Sequence, residues 1–196
     1  MIAVIDYGAG NLRSVANALD LMGATYRLAC TPAELSQAAA ILLPGVGHFG
    51  QMMGALNDAG LTKPLRELLS TGIPYFGICL GMHALYESSE EAPGIGGLNL
   101  LKGRVLRFPP GEKVPHMGWT DVQGERFYFA HSYYLPADVE GAVRTARHGF
   151  DFAAVIRRGN LYGTQFHPEK SGPAGLAVLK EWVAACQQSA SSLAST

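Results

Sequence analysis

Short apolar runs at residues 2–5, 26–29, 40–43 and 75–78, each followed or preceded by a helical pattern, constrain this chain more than any other feature. Runs that do not alternate apolar with polar residues read as strands buried on both faces. Leu12, Val15, Ala16, Leu19 and Met22 recur at helical spacing after the first run, with Gly23 as terminator. Thr31 and Glu34 form a capping box with Pro32 at the first helical position, and Leu61, Leu65, Leu68 and Leu69 line a helix at 62–70. The alternation predicts an α/β fold, flavodoxin-like, with a mostly parallel central sheet and helices on both faces. Such sheets bind ligands beyond the carboxyl ends of their strands, where Asp6, Pro44 and Cys79 fall.

The second half is richer in strands and turns, predicting an antiparallel β-rich portion. Strands are expected at 104–107, 120–122, 126–130 and 142–145. A hairpin joins 152–156 to 161–166 through Arg157-Arg158-Gly159-Asn160. A last helix spans 171–187, with Leu176, Leu179, Val183 and Cys186 on one side. Residues 187–196, rich in Ser and Ala, read as a frayed tail of a single domain covering 1–196.

At 196 residues and 48% hydrophobic, the chain has ample material for one core. Its net charge of −1 carries no footprint for nucleic acid or an anionic membrane. The longest unbroken apolar run, 38–43, is far short of the ~20 residues that span a bilayer. No basic segment precedes the first apolar run, so a secretory signal is not expected and the cytoplasm is. Cys30, Cys79 and Cys186 are too far apart for a Cys-x-x-Cys zinc site and predict neither metal nor disulfide. Only 16% of residues are charged, which suits a subunit with covered surface better than a lone monomer.

Gly77-Ile78-Cys79-Leu80-Gly81 follows a strand and opens a helical stretch at 80–87, the context of a nucleophile elbow with Cys in place of Ser. A helix N-terminus favours the thiolate, and the Leu80 N–H is placed to donate to an oxyanion. The competing reading is a small buried cysteine. A thiol nucleophile needs a base and an orienter. His167 and Glu169 supply a pair: in extended chain they project to one side and meet at their tips, with Pro168 stiffening the link. The competing reading is a surface histidine beside a solvated glutamate. Pro44-Gly45-Val46-Gly47 offers backbone N–H groups at the same sheet edge, for an oxyanion or substrate or as a plain turn. The loop 6–11 lacks a full phosphate-binding pattern.

These segments, with Gln165-Phe166-His167-Pro168-Glu169-Lys170-Ser171, resemble the triad (class I) glutamine amidotransferases. Asp6-Tyr7-Gly8-Ala9-Gly10-Asn11, Pro115-His116-Met117-Gly118-Trp119 and His131-Ser132-Tyr133 narrow the resemblance to the glutaminase subunits of imidazole glycerol phosphate synthase, from the first strand to about Trp182. The resemblance implies hydrolysis of L-glutamine to glutamate and ammonia through a cysteinyl thioester, without metal or organic cofactor. By position, Cys79 is the nucleophile, His167 the general base and acid, and Glu169 the orienter. Val46, Gly47 and Leu80 correspond to oxyanion elements, and Gly47, His83, Ser132 and Tyr133 to glutamine contacts. Gly10, Asn11 and Lys170 correspond to positions facing a partner, implied to be a (β/α)₈-barrel cyclase subunit that consumes the ammonia in histidine biosynthesis.

Two residues depart from that pattern: His83 stands where the family usually has Gln, and Thr120 where Asn commonly follows Gly-Trp. His83, one turn beyond Cys79, retains hydrogen-bonding capacity toward substrate and is also a rival candidate for the base. Thr120 is expected to matter structurally. Two alternatives stay open: a glutaminase serving pyridoxal phosphate synthesis, and a catalytically silent regulatory subunit, which only His83 favours. His116 and His131 read as satisfied structural histidines, His48 as a loop residue, His148 as exposed, and Trp119 and Trp182 as packing residues.

Overall fold

The computed structural model describes residues 1–8 and 11–193, the stretch 188–193 by backbone alone. A seven-stranded sheet forms the centre. Its parallel part holds β1 (Ile2–Ile5), β2 (Tyr26–Ala29), β3 (Ala40–Gly45), β4 (Tyr75–Cys79) and β12 (Leu161–Thr164). Two antiparallel strands, β11 (Phe150–Arg158) and β10 (Ala142–His148), extend it at one edge, giving the order β10-β11-β12-β4-β3-β1-β2.

The buried runs feed two cores by strict alternation, since successive side chains of a strand leave opposite faces. Ala3, Ile5, Ile41, Leu43 and Tyr75 pack on one face beneath α3 (Phe49–Asp58) and α4 (Thr62–Ser70). Ile2, Val4, Ala40, Leu42, Phe76 and Ile78 pack on the other, beneath α1 (Leu12–Leu21) and α6 (Gly172–Leu193). A third cluster of Phe127, Phe129, Phe152 and Phe166 joins the sheet's antiparallel edge to a ribbon of β7 (His116–Val122) and β8 (Glu125–His131). Three short strands, β5 (Ser88–Ser89), β6 (Arg104–Arg107) and β9 (Tyr133–Tyr134), form the remaining small sheet.

The α/β architecture with its antiparallel second half matches the expectation, and several local readings need correction. The third strand continues through Pro44 and Gly45 rather than stopping at 43. Pairing with β1 ends at Leu42, so Pro44 sits where no ladder bond is demanded on that side, and β4 pairs it on the other. Helix α3 was not foreseen; its glycines, Gly50 and Gly54, blur a sequence pattern whose buried side is Phe49, Met52, Met53 and Leu56. His48, expected as a loop residue, caps it, its Nδ1 accepting from the Gly50 N–H at 3.1 Å.

The helix after Cys79, α5, covers only Leu80–His83, because the chain then turns to bring Leu98 N–H onto the Ala84 carbonyl. The final helix runs on to Leu193, so the frayed tail expected from 187 does not begin there. Alanines sustain a helix already nucleated against the core, each residue adding one bond. Residues 194–196 lie outside the described residues. Trp182 packs on Phe76, whereas Trp119 stands half in solvent. Among the described residues no helix is long and apolar enough to cross a membrane, and no group of three or more His, Cys, Asp or Glu could hold a metal ion.

Candidate functional site

Cys79 is the last residue of β4 and the N-cap of α5, with φ 51° and ψ −107°. A side chain at positive φ is strained and persists only where the surroundings dictate it. Here they are glycines: a β-carbon on Gly77 would stand 2.5 Å from the Gly81 carbonyl, and one on Gly81 would overlap the Leu43 carbonyl oxygen. The Tyr75 hydroxyl donates to the Gly81 carbonyl at 2.6 Å and pins the turn from within the core. The thiol emerges at the sheet's carboxyl edge, 5% exposed.

Topology brings the second half of the site to it. Because β12 lies parallel to β4, with Thr164 opposite Ile78, the chain leaving β12 passes beside Cys79. His167 shares a pocket wall with Cys79, and its Nδ1 meets Glu169 Oε1 at 3.0 Å. The two were expected to meet through an extended chain. Instead Pro168–Lys170 forms a 3₁₀ turn, with Pro168 at its first position and Lys170 N–H returning to the His167 carbonyl. Two bonds hold the segment to β8, His167 N–H to Tyr128 carbonyl at 2.9 Å and Tyr128 N–H to Ser171 hydroxyl at 2.9 Å, and the Ser171 hydroxyl closes the turn on the His167 carbonyl at 2.6 Å.

Burial works against charge on His167, but its hydrogen bonds and charge interactions with Cys79 and Glu169 outweigh it and raise the imidazole to about 10. The arrangement therefore favours an imidazolium between the sulfur and the Glu169 carboxylate.

A pocket of about 260 Å³ opens over the sulfur. Its wall brings together Val46, Gly47, Cys79, Leu80, His83, Ser132, Tyr133, His167 and Lys170, all picked out in the sequence, with Glu91 and His131 in addition. Glu169 lies behind His167, its side chain 1% exposed. Asn11 is elsewhere, at the start of α1, its Oδ1 accepting from the Ser14 hydroxyl. Gly10 lies outside the described residues. The Val46 N–H is directed at the Tyr7 hydroxyl, 3.4 Å away. A larger cavity, about 730 Å³, lies at the opposite, amino edge of the sheet against α6 and contains none of the candidates.

His83 is fully buried and contacts Gln165, Nε2 to Oε1 at 2.8 Å, and Gln165 Nε2 in turn lies 3.6 Å from Cys79 Sγ. Burial, opposed only by the Gln165 bond, lowers His83 to about 4 and leaves it neutral. An imidazole held at so low a basicity, with Nε2 committed to the Gln165 carboxamide, is a poor acceptor for the Cys79 proton.

A second imidazole chain runs along the ribbon. The Tyr133 carbonyl can only accept, so His131 donates to it from Nδ1 at 2.8 Å and presents a bare Nε2. His116 then donates from Nδ1 at 2.9 Å and its Nε2 accepts from the Thr120 hydroxyl at 2.7 Å. The structural role expected of Thr120 is thus a specific one. Burial lowers His116 to about 4, with help from His148, and holds His131 well below the usual histidine range. His148, expected in solvent, is half-buried and stacks on His116 with ring centroids 4.1 Å apart.

Sequence reasoning assigned no role to Gln165, Glu91, Tyr7 or His131 in the site. Gln165 was visible two residues before His167. His131 and Tyr7 lie in segments singled out in the sequence but their places there, beside the pocket wall and under Val46, are set by the packed fold, as is that of Glu91.

Residues 3–186 match the family described as glutamine amidotransferase class-I. The chain is 46% identical over 195 residues to "Imidazole glycerol phosphate synthase subunit HisH" of Moorella thermoacetica, covering 92% of this chain and 93% of that one. It is 46% identical over 195 residues to the protein of the same name from Methanothermobacter thermautotrophicus, covering 93% and 98%. A solved structure titled "Crystal structure of glutamine amidotransferase" superposes with a TM-score of 0.76 at 22% identity, covering 94% of this chain and all of that one, a likeness of fold.

Proposed function

The chain belongs to the class-I glutamine amidotransferases, within the imidazole glycerol phosphate synthase HisH subunits, and from that premise we propose how its residues carry out the reaction. It is the glutaminase subunit of that synthase, acting in histidine biosynthesis. The Cys79 thiolate attacks the carboxamide carbon of L-glutamine: the C–S bond forms and the carbonyl electron pair moves onto oxygen. Leu80 N–H and the Val46–Gly47 backbone receive that oxyanion. The His167 imidazolium gives its proton to the departing nitrogen, the C–N bond breaks, and ammonia leaves a thioester. Water then attacks, giving a proton to His167. The C–S bond breaks, the thiolate returns beside the imidazolium, and the product leaves with its new carboxyl group, which gives its proton to solvent to become glutamate. Glu169 holds the imidazole by Nδ1, which turns Nε2 to the sulfur.

Gly47, Ser132 and Tyr133 hold the glutamine, with His83 in the same wall. Gly10, Asn11 and Lys170 face a (β/α)₈-barrel cyclase, and the pair works as a cytoplasmic heterodimer in which ammonia passes to the cyclase. The whole of 1–196 acts as one amidotransferase domain, without metal or organic cofactor. The observation that carries this reading is the parallel pairing of β12 with β4, which sets His167 and Glu169 beside Cys79.

The test is glutamate release from glutamine by the chain alone, then with the cyclase and its nucleotide ligand, with Cys79→Ala alongside. Turnover that requires Cys79 and rises with the partner is the expected result. A formed complex with no turnover overturns the catalytic reading and leaves a binding subunit.

A further inference from the structure

The mechanism above leaves one buried arrangement at the sulfur unused. His83 and Gln165 are both fully enclosed, and together they make a two-bond chain that ends on Cys79 Sγ: His83 Nε2 to Gln165 Oε1 at 2.8 Å, Gln165 Nε2 to Sγ at 3.6 Å. A carboxamide can be turned either way, and each orientation fixes the histidine tautomer. Two independent arguments select the same one. A thiolate repels the lone pairs of an amide oxygen and accepts from an amide N–H, so the nitrogen belongs at the sulfur and the oxygen at His83, whose Nε2 must then carry the proton. Among the described residues His83 Nδ1 has no partner. With the proton on Nε2 that orphan is a bare acceptor; the opposite orientation would bury an unpaired N–H, which folded proteins scarcely tolerate.

We propose that His83 is a positioning residue for the nucleophile: as the Nε2–H tautomer it locks the Gln165 carboxamide so that an N–H faces Cys79 Sγ and stabilises the thiolate. The donor is of use whenever the sulfur bears charge, before attack and again when the thioester breaks. It is of least use while the sulfur is acylated. Its removal therefore falls on kcat and on the ionisation of Cys79, with KM changing less. A side chain acting only as a glutamine contact would show the reverse. A Gln at this position can also donate to Gln165 Oε1 through its carboxamide, which makes the family's usual residue an informative replacement.

The experiment measures the pH dependence of Cys79 alkylation by iodoacetamide, which reacts with the thiolate. Modification is followed on the Cys79 peptide, since Cys30 is exposed and reacts as well. Full-length wild type, His83→Gln, His83→Leu, Gln165→Met and the double variant H83L/Q165M are compared. Steady-state glutaminase kinetics are run on each in complex with the cyclase. H83L is expected to move the alkylation midpoint up by about one pH unit and to lower kcat about tenfold, the loss of one charge-assisted bond. Q165M is expected to do the same, and the double variant no more than either, because both singles remove one bond. H83Q is expected to bring the midpoint back toward wild type.

An unmoved midpoint in H83L with a raised KM overturns the proposal in favour of a substrate contact, and so does a double variant whose losses add. Should H83L lose its cooperative thermal transition, Q165M against H83Q decides the same question. Only the turnover arm rests on the glutaminase reading. Alkylation needs no turnover, so an inactive wild type with the expected alkylation shifts would count against that reading and not against this one.

Discussion

His167 and the His116–His131 pair are buried to similar depth, yet their protons are held in opposite ways. His167 sits between a sulfur and a carboxylate and is raised to about 10; His116, among a hydroxyl, a second imidazole and aromatic rings, is lowered to about 4. Depth sets the penalty for charge, and the partners decide whether it is overcome. The elbow side of the molecule stores an ion pair for chemistry. The ribbon side stores neutral imidazoles as rigid connectors, ending at the Tyr133 carbonyl in the pocket wall. His83 stands inside the reactive region but is lowered like the ribbon histidines, because it is buried and, among the described residues, its side chain meets only a carboxamide.

The contrast breaks first at the sulfur. Cys79→Ala is expected to lower glutamine hydrolysis by at least about 10⁴-fold with the fold retained, measured as glutamate release beside a thermal melt. Next comes the carboxylate. Glu169→Gln is expected to cost about 10²-fold in kcat/KM and to bring the alkaline limb of its pH profile down from near 10, since the imidazolium loses a negative partner. A profile whose limb stays in place would show that Glu169 is not what holds the proton.

The pH dependence of stability then sharpens the comparison. Unfolded, every histidine titrates near 6.5. His167 keeps its proton when folded, so its contribution is full below 6.5 and lost as pH rises toward 10. His83 refuses a proton until about pH 4, so between 6.5 and 4 the unfolded chain binds more protons and stability falls. At 1.36 kcal/mol per pH unit, that loss reaches about 3 kcal/mol by pH 4. Denaturant unfolding at a series of pH values should show the acid limb, and His83→Gln should flatten its share of it. The smallest effect belongs to the ribbon's end: Thr120→Val removes the donor to His116 Nε2 and is expected to cost about 1 kcal/mol of unfolding free energy, with Thr120→Ser recovering most of it. Equal losses for Val and Ser would mean that the methyl group, not the hydroxyl, is what the site requires.

Much of this was legible in the chain because it is local. The runs at 2–5 and 40–43 are buried on both faces as their composition required, the Thr31–Glu34 box caps its helix, and the glycines around Cys79 let backbone pack where a β-carbon would collide. Other readings failed where two local tendencies competed. The glycines of α3 hid a helix that tertiary burial makes, and Pro168 bends the His167–Glu169 link into a 3₁₀ turn although the two side chains meet as expected. The imidazole chain from Thr120 to Tyr133 could not be read at all, since it depends on the register that sets His116 opposite His131.

The sequence by itself determined the class of fold, the tight turn at Cys79 and the candidates proposed as nucleophile, base and orienter. Each depends on residues a few positions apart, where backbone sterics and side-chain chemistry suffice. Only the tertiary structure decided that these residues share a pocket and which proton each imidazole keeps. Strand order joins positions nearly ninety residues apart in the chain, as Gln165 and Cys79 are, and a buried proton answers to every charge and lone pair around it, whatever its place in the sequence.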